Sequence, residues 1–243
     1  MSEIKQVVTA DGTAPVWVFH PERPSTTGVI LYMDAFGPRP AMQDMAARMA
    51  AMGHVVVLPD LFYRAGTYGP FDPLTAFGND ATRTQLMGLM GATSQDLTVR
   101  DTAAFLDLLS AEGATGSVAT VGYCMGGGRA MNAAAAYPDR IKAAASLHGG
   151  NLASDAADSP HTRVGLIKGQ VYVGSAGVDR SFPPEQSAKL AQALREAEVN
   201  HVIENYVGCQ HGWCVPDHSV YDANGAERHW RRLQVLFAEA LQG

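Results

Sequence analysis

The sequence predicts an α/β fold, a mostly parallel central sheet with helices on both faces, and three observations predict it. Short apolar runs of strand length alternate with longer segments of helical character along the chain. Most of those runs are apolar at every position, as strands covered on both faces are. The junctions are brief Gly-, Pro- and Asp-containing turns with no linker and no repeat, so the 243 residues are expected to form one domain spanning 1–243.

Taken in order, Ile4 to Thr9 and Pro15 to His20 are strand-like runs about Asp11-Gly12, a hairpin signal. Gly28 to Met33 is continuously apolar and ends in Asp34-Ala35-Phe36-Gly37-Pro38. Pro40 to Met52 has a helical pattern, with Gly53 where a C-cap belongs. His54 to Leu58 is a further buried strand, stopped by Pro59-Asp60, and Arg64 to Asp80, with three Gly and two Pro, reads as loop. Ser94 caps a long helix to about Glu112, with Gly113 after it. Ser117 to Val121 is the next strand, followed by a tight turn and an Ala-rich helix from Gly127 to Ala136. Ile141 to Leu147 is a strand, and the small, polar His148 to Pro160 reads as a surface excursion. Gln170 to Ser175 is a strand, Pro183-Pro184 opens a helix to Glu196, His201 to Tyr206 is the last strand, and a helix from about Gly225 to Leu241 ends the chain.

Composition bounds the function. Charged residues are 17% and hydrophobic residues 47%, the profile of a soluble globular chain, and a net charge of −6 with no Lys/Arg block argues against nucleic acid or anionic membrane as partner. No run approaches the roughly 18 apolar residues of a membrane span. Met1 to Thr9 has no secretory pattern, and three cysteines fit free thiols, so a cytoplasmic location is expected. There is no Walker loop and no dinucleotide fingerprint after the first parallel strand, so no cofactor is expected. Cys209 and Cys214 flank His211, but four zinc ligands at a recognised spacing are lacking, so no metal is expected either.

The chemistry centres on Val121-Gly122-Tyr123-Cys124-Met125-Gly126-Gly127. A strand that turns into a helix over one residue strains that residue and requires small neighbours, which is the Gly-x-nucleophile-x-Gly elbow of α/β-hydrolases with Cys in place of Ser. The following helix aims its N-terminus at Cys124, where the dipole favours an anion. The alternative is a Gly-rich turn in which Cys124 packs as a small hydrophobe. Reactive groups of parallel sheets lie beyond the carboxyl ends of strands. There the chain has Asp179, then His211, giving the order nucleophile, acid, base. A thiol at neutral pH is mostly protonated, so a base must take its proton, and a carboxylate on the far imidazole nitrogen fixes the ring's tautomer. Asp179 as a turn cap and His211 as a local hydrogen-bonding residue are the competing readings. Of the other histidines only His148, also past a strand, is placed to approach. The N–H groups of Met125 and Ala35 are the expected oxyanion donors. Asp34 either holds the thiol's proton or is a solvated turn residue.

These residues, with Leu58-Pro59-Asp60-Leu61-Phe62, Val178-Asp179 and Gln210-His211-Gly212, resemble the dienelactone hydrolase family, α/β-hydrolases with a cysteine nucleophile, from about Gly28 to Leu241. The resemblance implies hydrolysis of a small ester or lactone through an acyl-cysteine without a cofactor, with Cys124 as nucleophile, His211 as base and then acid, and Asp179 as orienting acid. It places Asp34 where the type enzyme has Glu beside the thiol, and Arg83 where one of two carboxylate-binding arginines stands. The second arginine's place is taken by Val215. Tyr123 and Trp213 are the other expected substrate contacts, with Val215 and Tyr221 at an apolar pocket rim. Substrate choice is expected to depend on Arg64–Asp80 and His148–Pro160. Thioester hydrolysis or acyl transfer by the same triad is the alternative activity, and a non-catalytic thiol sensor or binding protein the alternative class. Oligomeric state is not readable from the sequence.

Overall fold

The computed structural model describes residues 2–241. It opens on an antiparallel hairpin of β1 (Ser2–Thr9) and β2 (Gly12–Phe19), in which Thr9 pairs with Gly12 around a two-residue turn, Ala10-Asp11. Gly12 takes a φ of +143°, open to glycine and strained for residues with a Cβ. β3 (Gly28–Tyr32), β4 (Val55–Pro59), β5 (Val118–Tyr123), β6 (Ile141–Leu147), β7 (Gln170–Val178) and β8 (His201–Gln210) complete an eight-stranded sheet of order β1-β2-β4-β3-β5-β6-β7-β8. Only the pairs β1·β2 and β2·β4 are antiparallel, so β2 alone runs against the other strands. The apolar runs of β3, β4 and β5 are buried at every position, as the lack of alternation in their sequences requires.

The helices α1 (Pro40–Ala51), α3 (Gln95–Ala111), α4 (Met125–Ala136), α5 (Pro184–Glu196) and α6 (Ala223–Ala240) lie close to their expected places. Ser94 accepts from the Leu97 N–H at the start of α3, and Asp222 from the Gly225 N–H at the start of α6. α1 turns Met42, Met45 and Met49 inward at helical spacing, and α5 does so with Leu190 and Leu194.

Two expectations need correction. A helix, α2 (Asp80–Ala92), occupies residues to which the sequence reading assigned no element. It buries only Leu86 and Leu89 and contains Gly88 and Gly91, so it shows no apolar stripe. The stretch His148–Pro160 is no simple surface excursion, because His148, Leu152, Ala153 and Pro160 are all buried.

The register aligns the strand ends. Tyr32 pairs with Gly122, Tyr123 with Leu147, and Val178 with Gln210. The residues that follow (Asp34 and Ala35, Cys124, His148, Asp179 and His211) therefore all emerge at the same edge of the sheet. The chain crosses from β4, on one side of β3, to β5 on the other, and this reversal opens the crevice where α/β sheets bind ligands.

Candidate active site

Cys124 stands between β5 and α4 with φ 54° and ψ −118°, a backbone geometry that a non-glycine residue holds only when its surroundings enforce it. The enforcement is steric. A Cβ on Gly122 would land on the Gly126 carbonyl, and a Cβ on Gly126 on the Tyr32 carbonyl, so strand, turn and helix meet backbone to backbone. The Cys124 N–H donates to the Leu147 carbonyl (3.1 Å) and its own carbonyl accepts from the Gly127 N–H (3.0 Å), which leaves the half-buried thiol standing on the bend.

His211 follows β8 and Asp179 follows β7. The ring Nδ1–H donates to Asp179 Oδ2 at 2.7 Å, and Asp179 Oδ1 accepts from the Ser181 N–H (2.8 Å) and hydroxyl (2.6 Å). Burial lowers the pKa of His211, but the charge of the neighbouring Cys124 sulfur and the Asp179 hydrogen bond outweigh it and push the ring up to about 10. Burial raises the Asp179 carboxyl, and the bonds from His211 and Ser181 outweigh that, so it sits below the ordinary value. Cys124, His211 and Asp179 are thus brought together, with the ring between sulfur and carboxylate.

Ala35 and Met125 flank the nucleophile from β3 and α4, and among the described residues neither backbone N–H has a protein acceptor. Ala35 is buried, where an N–H without a partner is uncommon, and the half-buried Met125 is the first residue of α4, whose N–H has no partner within the helix.

Asp34 has other company than the thiol. It is fully buried, and its Oδ1 accepts from Arg39 Nη1 (2.6 Å) and the Phe36 N–H (2.9 Å), while Oδ2 accepts from Arg39 Nη2 (3.0 Å) and His218 Nε2 (3.2 Å). Burial raises its pKa, and His218 and Arg39 more than reverse the effect, so the carboxylate is anionic and fully occupied.

The three expected substrate contacts also fall elsewhere. Arg83 is exposed on α2 and pairs with Asp80 at 2.8 Å, an i,i+3 contact of the helix with itself. Tyr123 is fully buried, because its strand is covered on both faces, and its hydroxyl meets His229 Nε2 at 3.0 Å. Trp213 is fully buried against Tyr206 and His148, with ring centroids 4.5 and 5.4 Å apart. Val215 is likewise buried and Tyr221 exposed. A cavity of about 410 Å³ lined by Trp17, Phe36, Asp60, Tyr68 and Phe71 runs along the loop after β3.

Three neighbours of the site carry weak sequence signals or none. His148 packs edge-on against His211 with centroids 4.8 Å apart, and burial drives its pKa well below the ordinary value. Its position after a strand was the only hint. Arg129 is buried on α4 and donates to the Met125 carbonyl at 2.7 Å; burial lowers its pKa to about 10, against the opposing charge of Cys124. A lone arginine in an Ala-rich helix was its signal. Arg39, five residues beyond Asp34, had none. Cys209 and Cys214 are unpaired thiols, and among the described residues no group of three or more His, Cys, Asp or Glu is arranged to hold a metal ion. No described helix is long and apolar enough to cross a membrane.

The profile of the Dienelactone hydrolase family matches residues 15–241. The carboxymethylenebutenolidase of Rhodococcus opacus is 30% identical over 241 residues, covering 95% of this chain and 88% of the relative. A solved chain from Klebsiella pneumoniae subsp. pneumoniae superposes with a TM-score of 0.85 at 20% identity over 98% of each chain. A dienelactone hydrolase-like promiscuous phosphotriesterase from metagenomic libraries does so at 0.78, with 22% identity over 100% of this chain and 99% of the other.

Proposed function

The chain belongs to the dienelactone hydrolase family, and on that premise we propose that it hydrolyses a small, uncharged ester or lactone through an acyl-cysteine on Cys124, with all of 1–243 acting as one catalytic domain. The observation that carries this reading is the His211 ring lying between the Asp179 carboxylate and the Cys124 sulfur.

The steps follow from the chemistry of these groups. His211 takes the thiol proton, and the imidazolium is held by Asp179 on its other nitrogen. The thiolate attacks the carbonyl carbon, the C=O π pair moves onto oxygen, and that oxyanion accepts from the N–H groups of Ala35 and Met125. The intermediate collapses as the C–O bond breaks, and the leaving oxygen takes the proton from His211. A water molecule then gives a proton to the ring and attacks the thioester. The second intermediate expels the sulfur, which recovers its proton, and the carboxylic acid product leaves.

The choice of an uncharged substrate rests on the cations. Arg83 points to solvent, Val215 is apolar and buried, and Arg39 is engaged by two carboxylates. Neither Arg83 nor position 215 therefore offers a guanidinium fork to a substrate carboxylate, and Arg129 gives its terminal nitrogens to the backbone carbonyls of Met125 and Thr93.

Intact-protein mass spectrometry after brief exposure to a panel of lactones and aryl esters tests the proposal. An acyl adduct maps to Cys124, and Cys124→Ala, still folded by circular dichroism, forms no adduct and turns over no ester. Wild-type turnover by that variant would sink the assignment.

A further inference from the structure

Two loops meet above Cys124. The loop after β3 carries Ala35, and the loop after β8 carries His211. Between them lies Arg39, at the N-cap of α1 and mostly buried. One side of its guanidinium reaches back to Asp34 through Nη1 (2.6 Å) and Nη2 (3.0 Å). The other crosses to Asp217 through Nε (2.6 Å) and Nη2 (2.7 Å). His218, next to Asp217, adds a bond to the same Asp34 carboxylate at 3.2 Å, and its ring stacks edge-on against Phe36 at 5.3 Å. Three polar contacts, two from Arg39 to Asp217 and one from His218 to Asp34, and one aromatic contact therefore tie one loop to the other.

We propose that Arg39 is a positioning residue that sets the oxyanion-binding N–H of Ala35 against the nucleophile by pinning the loop after β3 to Asp217. The proposal rests on the acyl-cysteine reading above. Asp34 is bonded to Ala35 through the chain, so a shift of its carboxylate carries the Ala35 N–H with it. His211 has its own anchor in Asp179, at 2.7 Å, and does not depend on Arg39 for its position. Guanidinium chemistry is required because only a planar fork with five N–H donors serves two carboxylates at once. A lysine ammonium in its place is a point charge that satisfies one of them.

The separation of Ala35 from His211 gives a test that a merely structural role would not pass. Acylation by an aryl ester develops an oxyanion; alkylation by iodoacetamide displaces iodide and develops none. Both need the Cys124 sulfur and the His211 ring. In Arg39→Lys the burst rate of acylation with p-nitrophenyl acetate falls by about 10- to 100-fold, the range for a misplaced oxyanion donor, while the alkylation rate equals that of the wild type. Asp217→Asn, which keeps the shape of the contact and sits nearer the surface, gives a smaller loss of the same kind and serves if Arg39→Lys fails to fold. Equal losses in both reactions, or no loss in acylation, would overturn the proposal. If wild-type protein shows no burst and no adduct on Cys124, the acyl-cysteine reading itself fails, an outcome distinct from either result with the variants.

Discussion

At His211 the Cys124 sulfur and the Asp179 carboxylate outweigh the desolvation and raise the ring to about 10, which favours the imidazolium formed when the ring takes the thiol proton. Nuclear magnetic resonance of the ring carbons is expected to show a titration midpoint near that value in the wild type. In Cys124→Ala, which lacks the largest raising influence, the midpoint falls, and Asp179→Asn lowers it as well. The same shift makes a claim about stability. A histidine pKa raised on folding contributes stability that is complete below the unfolded value of about 6.5 and disappears as pH climbs through the folded one. Thermal unfolding of the wild type against Asp179→Asn should therefore show an advantage that shrinks as the pH approaches about 10, and a growing advantage would contradict the pairing. Cys124, Asp179 and His211 were legible in the sequence because each stands just past a strand and strand ends share one edge of a parallel sheet. Arg39 was not, since its meaning comes from Asp217, 178 residues away. Trp213 and Tyr123 were misplaced for the converse reason: an aromatic residue beside a reactive one in sequence points wherever the strand's alternation or the loop's packing sends it.

The elbow is the element where backbone meets backbone. At Gly122 any Cβ strikes the carbonyl of Gly126, and neither strand nor helix can retreat. Gly122→Ala is expected to lose more than about 2 kcal/mol of stability, on the scale of strain from overpacking, or to fail to fold. Gly88, inside α2, is the control: a Cβ there meets nothing, and its φ is not in the left-handed region. Gly88→Ala should gain about 0.5–1 kcal/mol from helix propensity alone, measured by urea unfolding. The elbow motif singles out Gly122, whereas nothing in the sequence marks Gly88 as helical. The same blindness hid α2, whose two glycines and sparse buried residues left no periodic signal. β7 and β8, expected to end at Ser175 and Tyr206, run on through Gly177 and Gly208 at a register shift between Ala176 and Val178.

Across the whole molecule, the alternation of strand and helix made the layered architecture legible, while the strand order was not, because no local pattern records which neighbour a crossover reaches. The far edge of the sheet is secured by Glu204 of β8. Its carboxylate accepts from Arg228 Nε (3.0 Å) and Arg232 Nε (2.9 Å) of α6 and from the Tyr172 hydroxyl of β7 (2.7 Å). Burial raises this carboxyl, but Arg232, Arg228 and Tyr172 prevail and push it down to about 2. A depressed carboxylate contributes stability that is present above its unfolded value and lost as pH falls through the folded one. Glu204→Gln is thus expected to melt below the wild type at neutral pH, with the gap closing as the pH drops toward about 2. β8 is the last strand in the chain as well as the outermost in the sheet. During synthesis the sulfur-bearing bend is complete long before the imidazole emerges from the ribosome. On the proposed mechanism, the thiol and its base meet only after the final strand has been made.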